Sequence, residues 1–341
     1  MSQNYVGRGY KMQLAIIGCG NIGKARARAI KEITGLELKV VADVDHERAQ
    51  SVAKEMDCEW SDDWRMVLQR DDIDGVIVST PNDLHAPISI AALEAGKHVL
   101  CEKPLARNPE EAQQMVSIAE RSGKVLKTGF NHRHVDWVLK ARELIDQGAI
   151  GKVFFIRGRT GHGGRAGYDK EWFTDFNRSG GGTLLDNGVH ALDLARWFMG
   201  SEFVEAIGFI ATNWWNISPC EDNAFGIFRT DDNRLFGIHC SWTQWKGYLY
   251  MEVYGEDGYL HLDFDKSRLA FGRRNGYRVG DEQMFDYAGT SQPSWRREIE
   301  EWVGAIHDGR RPWGDGYDGL MAVKMAYAVY EASRTGHAVK L

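Results

Sequence analysis

The chain has 341 residues, 43% hydrophobic and 26% charged, with a formal charge of -6, and that length exceeds what one hydrophobic core usually organises, so two domains are expected. A balance this acidic leaves no basic footprint for nucleic acid and no polybasic membrane patch, so neither partner is expected. The first ten residues, Met1 to Tyr10, are polar and glycine-containing, and no later apolar run reaches spanning length. A cytoplasmic location is the expectation that follows. Cys19, Cys58, Cys101, Cys220 and Cys240 are widely spaced and form no C-x-x-C pair, so neither a disulfide framework nor a metal site is expected.

From residue 14 to residue 130, short apolar runs alternate with helical stretches, the pattern of a parallel sheet with crossover helices. Strands are predicted over residues 14–17, 37–42, 75–79, 98–101 and 125–128, and helices over 23–32, 46–55, 87–95 and 109–121. The last helix has a clear start: Asn108 as N-cap, Pro109 in the first helical position and Glu111 three residues after the cap. Beyond Asn131 the texture changes. A helix at 136–147, a strand at 152–157, a glycine-rich segment and a helix at 186–199 lead into strands at 206–213, 224–230, 235–243, 248–254 and 259–264. Consecutive strands without intervening helices indicate a largely antiparallel sheet. Helices at 294–307 and 317–335 close the chain. The predicted fold is therefore an α/β Rossmann domain, doubly wound, over residues 11–131, and an α+β domain with a largely antiparallel open sheet over residues 132–341. The closing helices are allowed to pack back on the first domain.

Gly18-Cys19-Gly20-Asn21-Ile22-Gly23 follows the first strand and opens the first helix. In that context the glycines allow a tight turn and close backbone approach to a pyrophosphate, and the helix start supplies amide donors. Asp43 closes the second strand, about 20 residues on, where a carboxylate accepts from the ribose hydroxyls. A 2′-phosphate there would meet a like charge, so NAD is expected over NADP. Thr80, Pro81, Asn82 and His85 follow the third apolar strand, at the edge where such sheets bind ligands. Glu102-Lys103-Pro104 ends a later strand of the same sheet, which sets an ammonium where a nicotinamide ring would lie.

Taken in order, Gly18-x-Gly20-x-x-Gly23, Thr80-Pro81-Asn82-x-x-His85, Glu102-Lys103-Pro104, Gly129-Phe130-Asn131-x-Arg133 and Gly180-Gly181-Gly182-x-x-x-Asp186-x-Gly188-x-His190 resemble the Gfo/Idh/MocA family across nearly the whole chain. The resemblance implies an NAD(P)-dependent oxidoreductase acting on a ring hydroxyl or ketone of a sugar or cyclitol, amino and nucleotide-linked sugars included. It also implies a catalytic set of Lys103, Asp186 and His190, Asn82 and Glu102 near the nicotinamide ribose, and a homodimer or homotetramer formed through the C-terminal sheet. Asn131 and His132 stand where relatives often show Asn-Arg.

These residues suit the chemistry. Oxidising a carbinol requires removal of its hydroxyl proton, and an imidazole titrates in the useful range. His190 is therefore expected as the acid/base and Lys103 as the electrostatic partner of the reacting oxygen, with the reverse assignment open. Asp186 lies four residues before His190, on the same face of a helix. Arg159, His162, Arg165 and Tyr168, in the glycine-rich segment before that helix, are candidate substrate contacts. Trp214, Trp215, Trp242 and Trp245 are read as strand residues that pack the sheet or meet another subunit. Two other functions compete: a glycosidase that uses NAD as a transient oxidant, and a non-catalytic NAD-binding regulator. Retention of Lys103, Asp186 and His190 argues against the regulator.

Overall fold

The computed structural model describes residues 11–290 and 293–341, so the polar, glycine-containing stretch Met1 to Tyr10 lies outside the described residues. The chain divides into two compact units, residues 11–131 with Pro293–Leu320, and residues 132–290 with 321–341.

The first unit is built from β1 (Met12–Ile17), α1 (Asn21–Lys31), β2 (Leu36–Ala42), α2 (His46–Met56), β3 (Glu59–Ser61), α3 (Trp64–Leu68), β4 (Gly75–Val78), α4 (His85–Glu94), β5 (His98–Glu102), α5 (Pro109–Ser122) and β6 (Leu126–Gly129). Its strands are all parallel, in the order β3-β2-β1-β4-β5-β6. The order reverses between β1 and β4, the switch point outside which doubly wound sheets bind ligands. Strands covered on both faces read as continuous apolar runs, and β4 is buried along its whole length. α5 starts as its sequence dictates, with the Asn108 side chain accepting from Glu111 N at 2.8 Å, and it ends at Gly123 with φ of 64°. β3 and α3 are too short to give a periodic signal and were not predicted.

One of the closing helices completes this unit. Ile299, Trp302 and Val303 of α9 (Ser294–His307) pack with Leu14, Ile16, Ile30 and Val41, and Leu320 joins the core on the other face of the sheet.

The second unit holds α6 (Asp136–Asp146), β7 (Val153–Gly161), α7 (Phe176–Ser179), α8 (Val189–Met199), β8 (Phe203–Ala211), β9 (Asn223–Thr230), β10 (Leu235–Ser241), β11 (Tyr248–Gly255), β12 (Gly258–Asp263), β13 (Arg268–Asn275), β14 (Arg278–Asp286) and β15 (Val339–Lys340), with most of α10 (Gly316–Thr335). Its sheet runs β14-β13-β12-β11-β7-β10-β9-β8-β15 and is antiparallel except for the β7–β10 pair. α8 covers one face, and a Cβ on Gly158 of β7 would lie 3.9 Å from Ala191 Cβ. The opposite face leaves Phe209 67%, Phe225 57% and Ile227 52% exposed.

Three expectations are corrected here. β7 runs on past Arg157 to Gly161, so residues 158–161 are strand and not glycine-rich loop. β13 and β14, unpredicted, extend the sheet; β14 carries mostly exposed polar residues and so gives no buried alternation. The tryptophans lie beyond their strands, since β8 ends at Ala211 and β10 at Ser241. The first pair is turned out of the sheet by Asp222, whose carboxylate accepts from Asn213 N, Trp214 N and Trp215 N at 2.8–2.9 Å.

Candidate active site

In the first unit, each glycine of the fingerprint has a separate physical reason. Gly18 has φ of 96°, and a Cβ there would overlap the Ser79 carbonyl at the end of β4. A Cβ on Gly23 would overlap the Gly18 carbonyl, so this glycine lets α1 close against the turn. Gly20 is different: a Cβ would meet nothing within 4 Å, and no side chain caps the helix that starts after it. Asn21 and Ile22 form that exposed first turn. The Asp43 carboxylate accepts from Cys19 N at 2.8 Å and from Asp45 N at 3.0 Å, which fastens the end of β2 to the turn. Arg48 lies 3.4 Å from Asp43 and 2.9 Å from Asp45.

At the end of β4, among the described residues, Ser79 Oγ and Thr80 Oγ1 are buried without a protein partner. Pro81 leads into the short turn Asn82–Leu84, with Asn82 buried. His85 is 1% exposed, with Nδ1 2.8 Å from the Pro104 carbonyl and Nε2 2.9 Å from the Thr80 carbonyl. Burial draws its pKa down against those two bonds. The cofactor contact expected at His85 is therefore a brace that ties the Thr80 turn to the Lys103 turn. Glu102 turns one carboxylate oxygen, Oε1, to Nε of the buried Arg26 at 2.5 Å, and Arg26 also reaches Glu298 at 2.8 Å. Lys103 follows, half-buried, at the carboxyl end of β5. Open space over Gly20, an uncapped helix start and an unpartnered Thr80 hydroxyl are what a bound dinucleotide requires.

In the second unit, Asp186 lies in a π-helical turn, Leu184–Gly188, and His190 in the first turn of α8. A regular helix was expected from residue 186; the wider turn is the kind of local irregularity that recurs at functional sites. His190 is 9% exposed, and the His132 ring stacks on it with centroids 3.8 Å apart at 21°. With the Asn187 side-chain amide oriented so that its oxygen faces donors and its nitrogen an acceptor, the nitrogen donates to Asp186 Oδ2 at 3.1 Å, while the oxygen accepts from His162 Nε2 at 3.0 Å and Trp242 Nε1 at 2.9 Å. Gly164 N donates to His162 Nδ1 at 3.0 Å, which leaves the proton on Nε2. Tyr168 is 3% exposed, with its hydroxyl 3.3 Å from His162 Nε2. Burial, reinforced by Asp186, pushes the Tyr168 pKa up.

His162 and Tyr168 thus form the wall behind Asp186. Arg165 is exposed and ion-paired with Glu171. Arg159 is carried away from the site by strand alternation. Gly158 faces α8, so Arg159 points to the other face, over the rings of Tyr248 and Tyr250 at 4.8 and 5.4 Å. Sequence reasoning missed Asn187, which donates to Asp186, and Trp242, which donates to the Asn187 oxygen, and it gave no sign that His132 would stack on His190.

A doubly wound sheet whose glycine turn, uncapped helix and terminal aspartate meet at the switch point defines a dinucleotide-binding protein. Residues 12–130 match the oxidoreductase family with NAD-binding Rossmann fold, and residues 138–261 match the GFO/IDH/MocA C-terminal domain. The chain belongs to the Gfo/Idh/MocA family. Levoglucosan dehydrogenase of Pseudarthrobacter phenanthrenivorans is 35% identical over 64% of this chain and 59% of its own length. Myo-inositol 2-dehydrogenase of Thermotoga maritima is 26% identical over 97% of this chain and 98% of its own. A solved structure of levoglucosan dehydrogenase in complex with NADH has the same fold, with a TM-score of 0.90 at 24% identity, covering 97% of this chain and 99% of that one.

Proposed function

We propose that this chain is an NAD-dependent dehydrogenase that oxidises a ring hydroxyl of a sugar or cyclitol. The observation that carries the reading is that one chain holds both the Gly18–Gly23 turn, in its first unit, and a helix start bearing Asp186 and His190, in its second, in a family whose relatives include inositol and levoglucosan dehydrogenases. NAD would be held by Gly18, Gly20, Asn21, Ile22 and Gly23, by Asp43 at the adenosine ribose, and by Thr80, Pro81, Asn82, Glu102 and Lys103. When bound, it supplies the nicotinamide that takes or returns the hydride. Asp43, fixed in place by two backbone amides, favours NAD over NADP because a 2′-phosphate would face its charge.

His190 takes the carbinol proton, and the ammonium of Lys103 donates to the reacting oxygen as alkoxide charge develops. Asp186 accepts from a substrate hydroxyl; with one oxygen already receiving the Asn187 amide, its orientation is set before substrate arrives. The exposed apolar sheet face carrying Phe209, Phe225 and Ile227 pairs copies of the chain into a homo-oligomer.

The test is NADH formation against inositols, anhydrosugars, free hexoses, aminocyclitols and nucleotide sugars. Lys103→Met, Asp186→Asn and His190→Asn are each expected to lower kcat on the order of 100- to 10,000-fold. Release of free sugar from a glycoside without net NADH would instead select the redox-neutral glycosidase. A neutral-range limb in the pH profile that vanishes in Lys103→Met but persists in His190→Asn would exchange their roles.

A further inference from the structure

The run Gly180-Gly181-Gly182 leads into the turn that carries Asp186, and its backbone is crowded on both sides. A Cβ on Gly182 would overlap the main chain of Glu221, and one on Gly181 would overlap the Tyr330 hydroxyl. Both neighbours make bonds to this segment or to each other. Gly182 N donates to Glu221 Oε2 at 2.8 Å, Leu184 N donates to Oε1 at 2.8 Å, and Tyr330 OH donates to Oε1 at 3.1 Å. Thr183 N donates to the Glu221 carbonyl at 3.0 Å, and Tyr327 OH donates to the Gly180 carbonyl at 3.0 Å. Asp186 N then donates to Gly182 O at 3.0 Å, so the bond that begins the Asp186 turn springs from the residue Glu221 holds.

We propose that Glu221 is a positioning residue for the reaction: its carboxylate fixes Gly182 and Leu184 so that the turn after them presents Asp186 and His190 in a working register. Glu221 is 2% exposed and lies in the second unit with all of these partners. A purely structural role would be served better by a neutral group, because burying a carboxylate costs stability. Burial indeed pushes its pKa up to about 7, against the pull of its amide donors. What the carboxylate offers is two acceptor oxygens, one for each amide. A glutamine of the same shape offers one, and sets an NH2 against the other amide. The three-glycine run is the sequence trace of this clamp, since only glycine allows carboxylate and phenol to approach the backbone so closely.

The inference rests on reading Asp186 and His190 as the catalytic pair, and Glu221→Gln tests it. Three measurements are compared with wild type: kcat and KM with the fastest substrate of the panel, NAD binding by calorimetry, and amide hydrogen exchange across residues 180–190. The expected result is a kcat lowered on the order of 10- to 100-fold, as for a small misplacement of reacting groups. NAD affinity stays unchanged, and exchange is roughly 10-fold faster, confined to residues 180–190. Tm stays within about 3 °C, because relief of a buried charge offsets one amide left facing a donor. Wild-type kcat and wild-type exchange would overturn the proposal, as would a kcat loss matched by loss of folded protein. Should Glu221→Gln fail to fold, Tyr330→Phe removes one donor to the same oxygen and is expected to lower kcat about 3- to 10-fold with KM for NAD unchanged; no effect there would overturn it equally. Full turnover in Asp186→Asn and His190→Asn would sink the parent reading instead, which keeps the two failures apart.

Discussion

Gly20 and Gly23 stand three residues apart in one turn, and the structure gives them opposite sensitivities to the same added methyl group. At Gly20 the backbone is extended, with φ of -67° and ψ of -171°, and a Cβ would meet nothing within 4 Å. Gly20→Ala should therefore cost the free protein little. The lost chain entropy favours alanine while the N-cap position disfavours it, a net effect of about 1 kcal/mol or less, or a Tm shift within about 3 °C. The methyl group would occupy the space a pyrophosphate needs. Losing one or two charge-assisted contacts is worth about 2–3 kcal/mol, so Kd for NAD should rise roughly 30- to 150-fold. At Gly23 the Cβ would overlap the Gly18 carbonyl, and the turn must move to admit it. Overpacking of that kind costs about 1–3 kcal/mol, a Tm drop of about 3–10 °C, and distorts the NAD site as well. Thermal unfolding of the NAD-free protein and NAD calorimetry on both variants measure the contrast. Wild-type NAD affinity in Gly20→Ala, or equal Tm losses in the two variants, would refute the reasoning.

Other outcomes follow from buried charge and exposed apolar surface. Arg26→Met leaves Glu102 and Glu298 without their buried cation and should destabilise the first unit by about 3–5 kcal/mol, read as a lower urea midpoint; an unchanged midpoint would show that the pair is not needed. For Glu221, with neighbours Tyr330, Cys220 and Cys240, burial raises the folded-state pKa from 4.5 to about 7. An acid raised in this way binds more protons folded than unfolded, so stability is greatest below the unfolded value and falls as pH climbs to about 7. The loss is at most about 3 kcal/mol, so the Tm of Glu221→Gln relative to wild type should rise by several degrees from about pH 5 to about pH 8. A flat difference would remove the buried charge from the account. Phe209→Glu, placed in the exposed sheet face, should yield monomers by light scattering where wild type is an oligomer; a monomeric wild type would dismiss the assembly.

The first sheet was legible because parallel strands covered on both faces leave uninterrupted apolar runs such as Gly75–Val78, and because Asn108 and Pro109 announce α5 chemically. The nucleotide turn was legible because the neighbours that demand Gly18 and Gly23 lie within the motif or at the end of an adjacent strand, while Gly20 faces open space. Elsewhere the deciding partner is distant in sequence. Nothing near Trp214 reveals that Asp222 will gather three successive amides and turn the indoles out of the sheet. Arg159 read as a loop cation because glycines surround it, yet those glycines sit in β7, and strand alternation sends its side chain to the far face. Glu221 is separated from Gly182 by 39 positions, and the glycine run alone does not say which residue requires it.

The segment Pro293–Leu320 has a consequence for how this protein could be recombined. Ile299, Trp302, Val303 and Leu320 fill out the interior of the nucleotide-binding half, although more than 160 residues of chain intervene after Asn131. A fragment ending at Asn131 would expose the apolar surface that Trp302 covers, and should be insoluble or molten. A chimera that exchanges this half with a relative must therefore transplant two stretches of sequence together, because the cofactor module is not a removable N-terminal cassette.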